Sequence, residues 1–403
     1  MISNVLEPEI VLAKEGSPSL FKNKPTILKG FQMRVLHTLM RLHLVLIAMK
    51  CYRNPAKWIG SLVYLIRLRR RFLGDFKLKK VARVNGKYHM GIYIPAWFSK
   101  GFEYFVMNEL KSYKPISRPS YRFNNVFLAI TSKCPLQCEH CYEWERLNQR
   151  EHDNTDRLKT IIDELSAKGT CQIHFTGGEP LVKTEIILDL MRTAPKDIDY
   201  WITTSGYSLD ESKAKKLKAA GIKGIVISLD HFEAEEHNRF RNHPVAFYWA
   251  IEAVKNTISN NMIAALSVCV TKEFIIESNL MSYMIMAEKL GVSFVQFIEP
   301  KPIGHFKGKA VELDAEDMKV LEQFHLKMNF SNSYLSVPII GYHEQYQRRQ
   351  RCLSAGNRSI YLDMQGNLHA CPFCQKKRGN ILDSNFDNQL DTMTRLGCEA
   401  VSC

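Results

Sequence analysis

The sequence lacks a long apolar run and has little that marks a secreted chain. None of its 403 residues belong to a stretch of the roughly 18 uninterrupted apolar residues that a membrane-spanning helix needs. Residues 1–15 are acidic and have no apolar core, so we expect no signal peptide there. Internal repeats and low-complexity segments are absent, and the hydrophobic content of 45% is enough for a sizeable core. These absences exclude fibrous and membrane-spanning classes and predict a globular cytoplasmic protein.

Acidic residues are scarce in the first third of the chain. Residues 1–122 contain about 23 Lys and Arg against about 6 Asp and Glu, whereas the rest of the chain is close to neutral. The net charge of +14 therefore belongs to this segment. Residues 31–50 and 54–74 have the pattern of two amphipathic helices, and Asn85-Gly86 predicts a hairpin turn. We therefore expect a basic N-terminal region of two helices and a hairpin.

From about residue 124, short apolar strands alternate with amphipathic helices. Six strands are predicted, at residues 126–131, 172–176, 200–204, 224–230, 264–270 and 294–300. Such alternation produces a parallel sheet whose active site lies at the carboxyl ends of the strands. We predict an α/β fold in three parts: the basic region (1–122), a β/α core that is twisted or partly closed into a barrel (123–309), and a small cysteine-rich C-terminal domain (310–403).

Eleven cysteines are present, and three of them lie in one loop after the first predicted strand. Clustered thiols in a long cytosolic chain usually bind metal. Cys134, Cys138 and Cys141 can hold three irons of a cubane [4Fe–4S] cluster, which leaves the fourth iron open to a small molecule. A structural zinc site is the alternative, with His140 as the fourth ligand.

A second motif, Gly177-Gly178-Glu179-Pro180, follows the second predicted strand. Two glycines let the backbone approach a ligand closely, and a carboxylate accepts hydrogen bonds from an ammonium group. An ordinary turn between a strand and a helix is the alternative.

The spacing Cys134-x3-Cys138-x2-Cys141 resembles the signature of the radical S-adenosylmethionine (SAM) superfamily, and the glycine motif agrees with it. The resemblance covers about residues 124–305 and implies a partial (β/α)6 barrel of TIM type. It also implies that SAM chelates the open iron of a [4Fe–4S] cluster. One electron would then break the bond between sulfur and C5′, and the 5′-deoxyadenosyl radical would abstract hydrogen from a substrate.

The resemblance also implies which residues bind SAM, although it names no catalytic residue beyond the cluster. The glycine motif would meet the methionine amino group, and residues 297–299 would line the adenine. Residues after the third and fourth strands would complete the site. The full set is Gly177, Gly178, Glu179, Pro180, Ser205, Ser228 and Arg241. A solvated surface side chain is the alternative for Arg241. Superfamily members often have an aromatic residue before the third cysteine, whereas this chain has His140 there and Tyr142 after it.

Five more cysteines lie in the last 52 residues: Cys352, Cys371, Cys374, Cys398 and Cys403. The spacing Cys352-x13-Gly366-x4-Cys371 resembles the SPASM extension, which binds auxiliary [4Fe–4S] clusters. Five thiols can ligate one cluster and not two, so the segment is more similar to the shortened twitch form. We expect Cys352, Cys371, Cys374 and Cys398 as ligands, with Cys403 as the substitute. A zinc ribbon is the alternative.

The sequence therefore predicts a radical SAM enzyme, and the SPASM resemblance favours a peptide or protein as its substrate. A small molecule or lipid precursor is the alternative substrate. An electron donor of flavodoxin or ferredoxin type is implied. A non-catalytic metal-binding scaffold and a cluster used only for electron transfer are the competing hypotheses.

The role of residues 31–73 is open to three interpretations. In the first, they contact an anionic membrane surface, which would make the protein peripheral. In the second, they bind an acidic or phosphorylated substrate. In the third, they pack on the barrel. No recognisable module predicts nucleic-acid binding.

Overall fold

The computed structural model describes residues 25–116, 123–151, 155–350 and 352–397, without the side chains of residues 349 and 350. The strands are β1 (Thr26–Leu28), β2 (Val81–Val84), β3 (Lys87–His89), β4 (Phe123–Thr131), β5 (Thr170–Gly177), β6 (Asp199–Thr204), β7 (Ile222–Ser228), β8 (Ile263–Cys269), β9 (Phe294–Ile298), β10 (Ile339–Tyr342), β11 (Ser359–Leu362), β12 (Asn367–His369) and β13 (Gly379–Asn380). The helices are α1 (Phe31–Cys51), α2 (Pro55–Leu73), α3 (Lys100–Lys111), α4 (Thr155–Ala167), α5 (Thr184–Thr193), α6 (Glu211–Ala220), α7 (Ala234–Arg241), α8 (Ala246–Ser259), α9 (Glu277–Leu290), α10 (Ala315–Phe330), α11 (His343–Gln350) and α12 (Phe386–Leu396).

In the described part of the chain, ten strands form one large sheet in the order β10-β9-β8-β7-β6-β5-β4-β11-β12-β13. The pairs from β10 to β11 are parallel, and β12 and β13 are added antiparallel. The six predicted strands correspond to β4 through β9, with helices between them. The main core lies between one face of this sheet and the helices that cover it. The predicted α/β partial barrel is confirmed, and its six core strands end at one common edge.

The basic N-terminal region forms the two predicted helices and the predicted hairpin. The side chain of Asn54 caps α2 by accepting a hydrogen bond from the backbone N–H of Ala56 (2.9 Å). Asn85 and Gly86 both have positive φ, as a two-residue turn between β2 and β3 requires. No helix in the described ranges has the length and apolar character needed to cross a bilayer.

The N-terminal region also fills one end of the barrel. Ile92 packs against Trp201, Phe294 and other side chains on the concave face of the large sheet. The Tyr93 hydroxyl donates to Oε1 of Gln296 (2.9 Å). Because these contacts occupy the amino-terminal half of the concave face, the carboxyl ends of the strands are left to form a site.

Lys80 joins the N-terminal region to the segment between α10 and β10. Its side chain is buried, and Nζ donates to the backbone carbonyls of Met328, Tyr334, Val337 and Pro338 at 2.9 to 3.1 Å. Removing the ammonium group would leave several buried carbonyl oxygens without a donor.

Replacement of Lys80 by Met is therefore expected to destabilise the protein by about 2–3 kcal/mol, since each buried unsatisfied carbonyl is costly. The shift in the urea unfolding midpoint measures this loss. Lys79→Met is the matched control, because the neighbouring lysine makes an exposed hydrogen bond to Asn332. A loss for Lys80→Met no larger than that of the control would show that the carbonyl contacts contribute nothing.

Candidate active site

The three predicted cluster ligands lie in the loop after β4, at the carboxyl edge of the sheet. Cys138 is buried, and Cys134 and Cys141 are partly buried. All three line one cavity of about 790 Å³. The backbone N–H of Cys141 donates to the carbonyl of Cys138 (3.3 Å), which folds the loop back on itself.

The chemistry of these thiols fits an iron–sulfur cluster. Burial raises the pKa of all three, and burial together with the neighbouring Cys138 raises that of Cys141 to about 12. Three thiolates side by side therefore need bound cations to stay deprotonated. In the described part of the chain, no three His, Cys, Asp or Glu side chains could hold a single metal ion. A cubane gives each thiolate its own iron, so thiols that surround a shared space suit it.

Two side chains beyond the motif hold the cysteine loop. Oδ1 of Asn148 accepts from the backbone N–H of Cys134 (3.0 Å), and its Nδ2 donates to the Cys134 carbonyl (3.1 Å). Glu151 accepts from the Thr131 hydroxyl (2.6 Å) and the Ser132 backbone N–H (2.7 Å). These contacts fix the backbone that presents the first thiol. The motif spacing gave no signal for either residue.

The glycine motif lies directly against the cysteine loop. The backbone N–H of Gly178 donates to the Thr131 carbonyl (2.8 Å), and that of Glu179 donates to the Lys133 carbonyl (2.7 Å). A Cβ at Gly177 would lie 2.3 Å from the Thr131 oxygen, and one at Gly178 would lie 2.4 Å from the Lys133 oxygen. Both positions thus require glycine, because a side chain would collide with the neighbouring backbone. The sequence suggested only that the backbone of the motif approaches a ligand closely.

Glu179 connects the glycine motif to the end of β6. One carboxylate oxygen accepts from the Thr204 hydroxyl (2.6 Å) and the Leu181 backbone N–H (2.9 Å). The other accepts from the backbone N–H (2.8 Å) and hydroxyl (2.5 Å) of Ser205. Burial raises the pKa of Glu179, although the Ser205 and Thr204 hydrogen bonds oppose this rise. Gly177, Gly178, Glu179 and Ser205 all line the cavity, whereas Pro180 is buried at the start of a short helical turn.

Arg241 is a buried residue of the site and not a solvated surface arginine. Its Nε donates to Oδ2 of Asp230 (2.6 Å), and its Nη1 lies 3.6 Å from Sγ of Cys138. Burial alone would raise the pKa of Asp230, but Arg241, His140, His237 and the hydrogen bond from the Cys269 backbone together lower it to about 2. Ser228, at the end of β7, lines the same cavity. Asp230, which was not predicted as a site residue, holds the arginine beside the second cysteine.

Replacement of Arg241 by Met is expected to destabilise the protein by about 3–5 kcal/mol, because it leaves the buried Asp230 carboxylate unpaired. Urea unfolding of the iron-free protein measures the loss. Arg239→Met in the same helix is the control, since Arg239 forms only exposed ion pairs.

The same pair predicts a pH dependence. The folded-state pKa of Asp230 is lowered from 3.8 to about 2. The stabilisation of the folded protein by the ionised Asp230 is thus present above about pH 4 and is lost as the pH falls towards 2. An equal loss of stability in Arg241→Met and Arg239→Met would contradict this account. So would an acid sensitivity of Arg241→Met that is the same as that of wild type.

The residues on either side of Cys141 have different surroundings. His140 stacks on Phe240 with ring centroids 4.6 Å apart, and burial lowers its pKa to about 4, so it is neutral. The Tyr142 hydroxyl lies 3.2 Å from the Thr176 hydroxyl, and both side chains line the cavity.

Of the residues predicted to line the adenine, Phe297 packs into the core against Phe324. That part of the prediction is wrong, because alternation along β9 turns Phe297 away from the face that carries Gln296 and Ile298. Ile298 and Glu299 do line the cavity.

The C-terminal cysteines lie beside the first cysteine loop. Cys352 and Cys371 line the same cavity as Cys134, and the Cys374 backbone N–H donates to the Cys371 carbonyl (3.0 Å). Nε2 of Gln375 donates to the Tyr142 carbonyl (2.9 Å), which joins the two loops. The predicted ligands Cys398 and Cys403 lie outside the described residues. Strands β11 and β12 form a hairpin between Cys352 and Cys371, in which Leu362 pairs with Leu368.

The fold and the site together define a class: a partial β/α barrel with three thiols after its first strand and a glycine motif after its second. A family model of the radical SAM superfamily matches residues 128–274. The matched segment of this chain is therefore a radical SAM domain, and the cofactors of that family are a [4Fe–4S] cluster and SAM.

Three curated relatives show how the similarity is distributed. Fe-coproporphyrin III synthase of Methanosarcina barkeri is 30% identical over 145 residues, 36% of this chain and 36% of that protein. GTP 3′,8-cyclase of Clostridium perfringens is 27% identical over 227 residues, 52% of this chain and 68% of that protein. PqqA peptide cyclase of Granulibacter bethesdensis is 33% identical over 111 residues, 27% of this chain and 30% of that protein. The chain thus spans between 30% and 68% of the length of these relatives.

Two solved structures share the fold. Streptococcus suis SuiB bound to precursor peptide SuiA has a TM-score of 0.54 at 12% identity, with 73% of this chain and 71% of that chain covered. The protein anSMEcpe with bound AdoMet has a TM-score of 0.53 at 19% identity, with 68% and 83% covered. At these identities the likeness concerns the fold.

Proposed function

We propose that this chain is a radical SAM enzyme that abstracts hydrogen from a peptide or protein. One observation carries the proposal: the three clustered thiols, the first three residues of the glycine motif, Ser228 and Arg241 all line a single cavity. With its [4Fe–4S] cluster bound, the site would supply the electron that cleaves SAM to a 5′-deoxyadenosyl radical.

The chain's own residues would prepare this chemistry. Cys134, Cys138 and Cys141 would hold the cluster on a loop that Asn148 and Glu151 keep in place. Gly177 to Pro180, Ser205, Ser228 and Arg241 would hold SAM. The carboxylate of Glu179 is already occupied by protein donors, so in this proposal it positions Ser205 and the backbone of the glycine motif. The apolar lining of the rest of the cavity would keep water from a radical.

The names of related proteins support a peptide substrate. PqqA peptide cyclase is similar in sequence to part of this chain. SuiB, which has the same fold as this chain, was solved with a precursor peptide. A small-molecule or lipid precursor is the second candidate. The similarity to Fe-coproporphyrin III synthase and GTP 3′,8-cyclase supports a small molecule, and the apolar side chains that line much of the cavity support a lipid precursor.

An auxiliary cluster and an electron donor belong to the same proposal. Cys352, Cys371 and Cys374, with Cys398 or Cys403 as the fourth ligand, would bind a second [4Fe–4S] cluster. A smaller cavity of about 300 Å³ beside Cys374 is bordered by Lys307, Lys376 and Arg378. These basic side chains suit an acidic flavodoxin or ferredoxin that delivers electrons.

We also propose the three-part division of the chain at residues 1–122, 123–309 and 310–403, and peripheral membrane contact of a cytoplasmic protein through residues 31–73. In the described ranges, α1 and α2 expose apolar and basic side chains together, which supports that contact.

Transfer of deuterium tests the substrate. Cells that lack the gene would be grown in deuterated medium and separated into peptide and lipid fractions, and each fraction would be incubated with the anaerobically reconstituted enzyme, SAM and a reductant. We expect deuterium in 5′-deoxyadenosine from the peptide fraction. Transfer from the lipid fraction alone would favour the second candidate, and transfer from neither would contradict hydrogen abstraction from either class.

A further inference from the structure

The cavity that holds the three thiols continues to the inner faces of α1 and α2. This part of the cavity, the helix-pair arm, is defined by the apolar side chains Met40, Leu44, Leu65, Leu68, Phe72 and Phe105. None of the residues proposed to bind the cluster or SAM belongs to it. The arm therefore provides an apolar space that the SAM chemistry does not use.

Three basic side chains also line the helix-pair arm: His37, Arg41 and Arg69. They lie close enough to affect one another, because the charges of Arg41 and Arg69 help burial to lower the pKa of His37. Nε of Arg69 is buried and has no hydrogen-bond partner among the residues that the structure describes. Within the described ranges neither arginine forms an ion pair, whereas Glu109, an acidic residue that lines the cavity, is paired with Arg358. The arm thus contains positive charge without a balancing anion.

The outer faces of the same two helices are apolar and basic. Exposed apolar side chains recur every three or four residues, as a continuous stripe along a helix requires: Phe31, Val35, Leu39, Leu42, Leu46 and Met49 on α1, and Ile59, Val63 and Ile66 on α2. Exposed basic residues lie next to the stripe, among them Arg34, Lys50, Lys57, Arg67 and Arg70. An apolar stripe with a basic border matches the surface of an anionic bilayer.

We propose that the helix-pair arm binds an anionic lipid from the bilayer, with its phosphate held by Arg41 and Arg69 and its apolar chain lying along Leu44, Leu65 and Phe72. The arginines offer planar donors that suit a phosphate. Each methylene of the chain that is buried against this wall strengthens binding. Free phosphate would use only the arginines, and an uncharged lipid would use only the apolar wall. The inference goes beyond the proposed radical chemistry and does not depend on it.

Binding of single lipid molecules to the full-length protein tests this site. Lysophosphatidylglycerol, lysophosphatidylcholine and inorganic phosphate would be titrated below the critical micelle concentration, without SAM or reductant, by calorimetry. We expect lysophosphatidylglycerol to bind best. Arg41→Gln/Arg69→Gln should weaken it by about tenfold or more, because two charge-assisted contacts are lost. Arg41→Lys/Arg69→Lys should retain part of the affinity, since the charge is kept.

Arg67→Gln/Arg70→Gln is the control, because these arginines lie on α2 beside Arg69 and their replacement removes the same charge, but they do not line the cavity. It should bind the single lipid as wild type does, while binding less well to vesicles of phosphatidylcholine with phosphatidylglycerol. Equal affinity for the two lysolipids, equal affinity for inorganic phosphate, or an equal loss in both double variants would overturn the proposal. A protein that cleaves SAM but binds no lipid contradicts this inference alone, whereas one that binds lipid but does not cleave SAM contradicts the proposed function alone.

Discussion

Replacement of Cys138 by Ser is expected to remove one cluster, about four of an expected eight irons per chain, and to abolish SAM cleavage. Cys138 is the most buried of the three thiols, and Arg241 lies beside its sulfur. With one thiol missing, two ligands cannot hold a cubane against solvent. Iron and sulfide analysis after anaerobic reconstitution, together with the assay of 5′-deoxyadenosine, measures both effects.

The cavity itself offers matched controls for this variant. Cys269 is a buried thiol that lines the same cavity but is not a predicted ligand, so Cys269→Ser should retain both the iron and the activity. Cys371→Ser should lose the other four irons while the visible absorption of the first cluster remains. A Cys138→Ser protein with the iron content of wild type would contradict the assignment of this loop.

Replacement of Glu179 by Gln is expected to weaken SAM binding by at least about 100-fold, because charge-assisted hydrogen bonds from buried donors are worth several kcal/mol together. The amide cannot accept from the Ser205 backbone, the Ser205 hydroxyl, Thr204 and Leu181 at once. The glycine motif should shift relative to the end of β6, whereas the thiols should still bind iron. Equilibrium dialysis with SAM and iron analysis separate the two effects.

Glu185→Gln provides the control, since this carboxylate lies six residues further on and is exposed. It should bind SAM as wild type does. Loss of iron together with SAM in Glu179→Gln would mean that Glu179 supports the cysteine loop. If Glu179→Gln binds SAM within about twofold of wild type, the contacts of Glu179 within the glycine motif do not contribute to the SAM site.

The strand and helix pattern was predictable because each element has a strong local signal. The β4 to β9 segments are short apolar runs between amphipathic helices, and the hairpin depends on two residues with positive φ at Asn85 and Gly86. Within the cysteine motif, and likewise within the glycine motif, the residues lie only a few positions apart along the chain. Local patterns of this kind can be recognised in the sequence because they do not depend on contacts that form only in the folded protein.

The residues that support the site were not predictable, because their partners are distant in sequence. Asn148 holds Cys134 from 14 residues away. The loop after β9 supports the third cysteine, since the His305 backbone N–H donates to the Cys141 carbonyl (2.9 Å), and a Cβ at Gly304 would lie 2.2 Å from that oxygen. Burial of Arg241 likewise depends on Asp230, which lies outside its helix. Such contacts exist only once the loops have been brought together.

The account depends most on the claim that the thiols at Cys134, Cys138 and Cys141 hold a cluster at which SAM is cleaved. The most direct test is mass spectrometry of 5′-deoxyadenosine and methionine after wild-type protein, reconstituted without oxygen, is mixed with SAM and dithionite. The account predicts both products in equal amounts from wild type and neither from Cys138→Ser. Wild-type protein that contains its full iron but forms no 5′-deoxyadenosine, or that takes up zinc in place of iron, would contradict it.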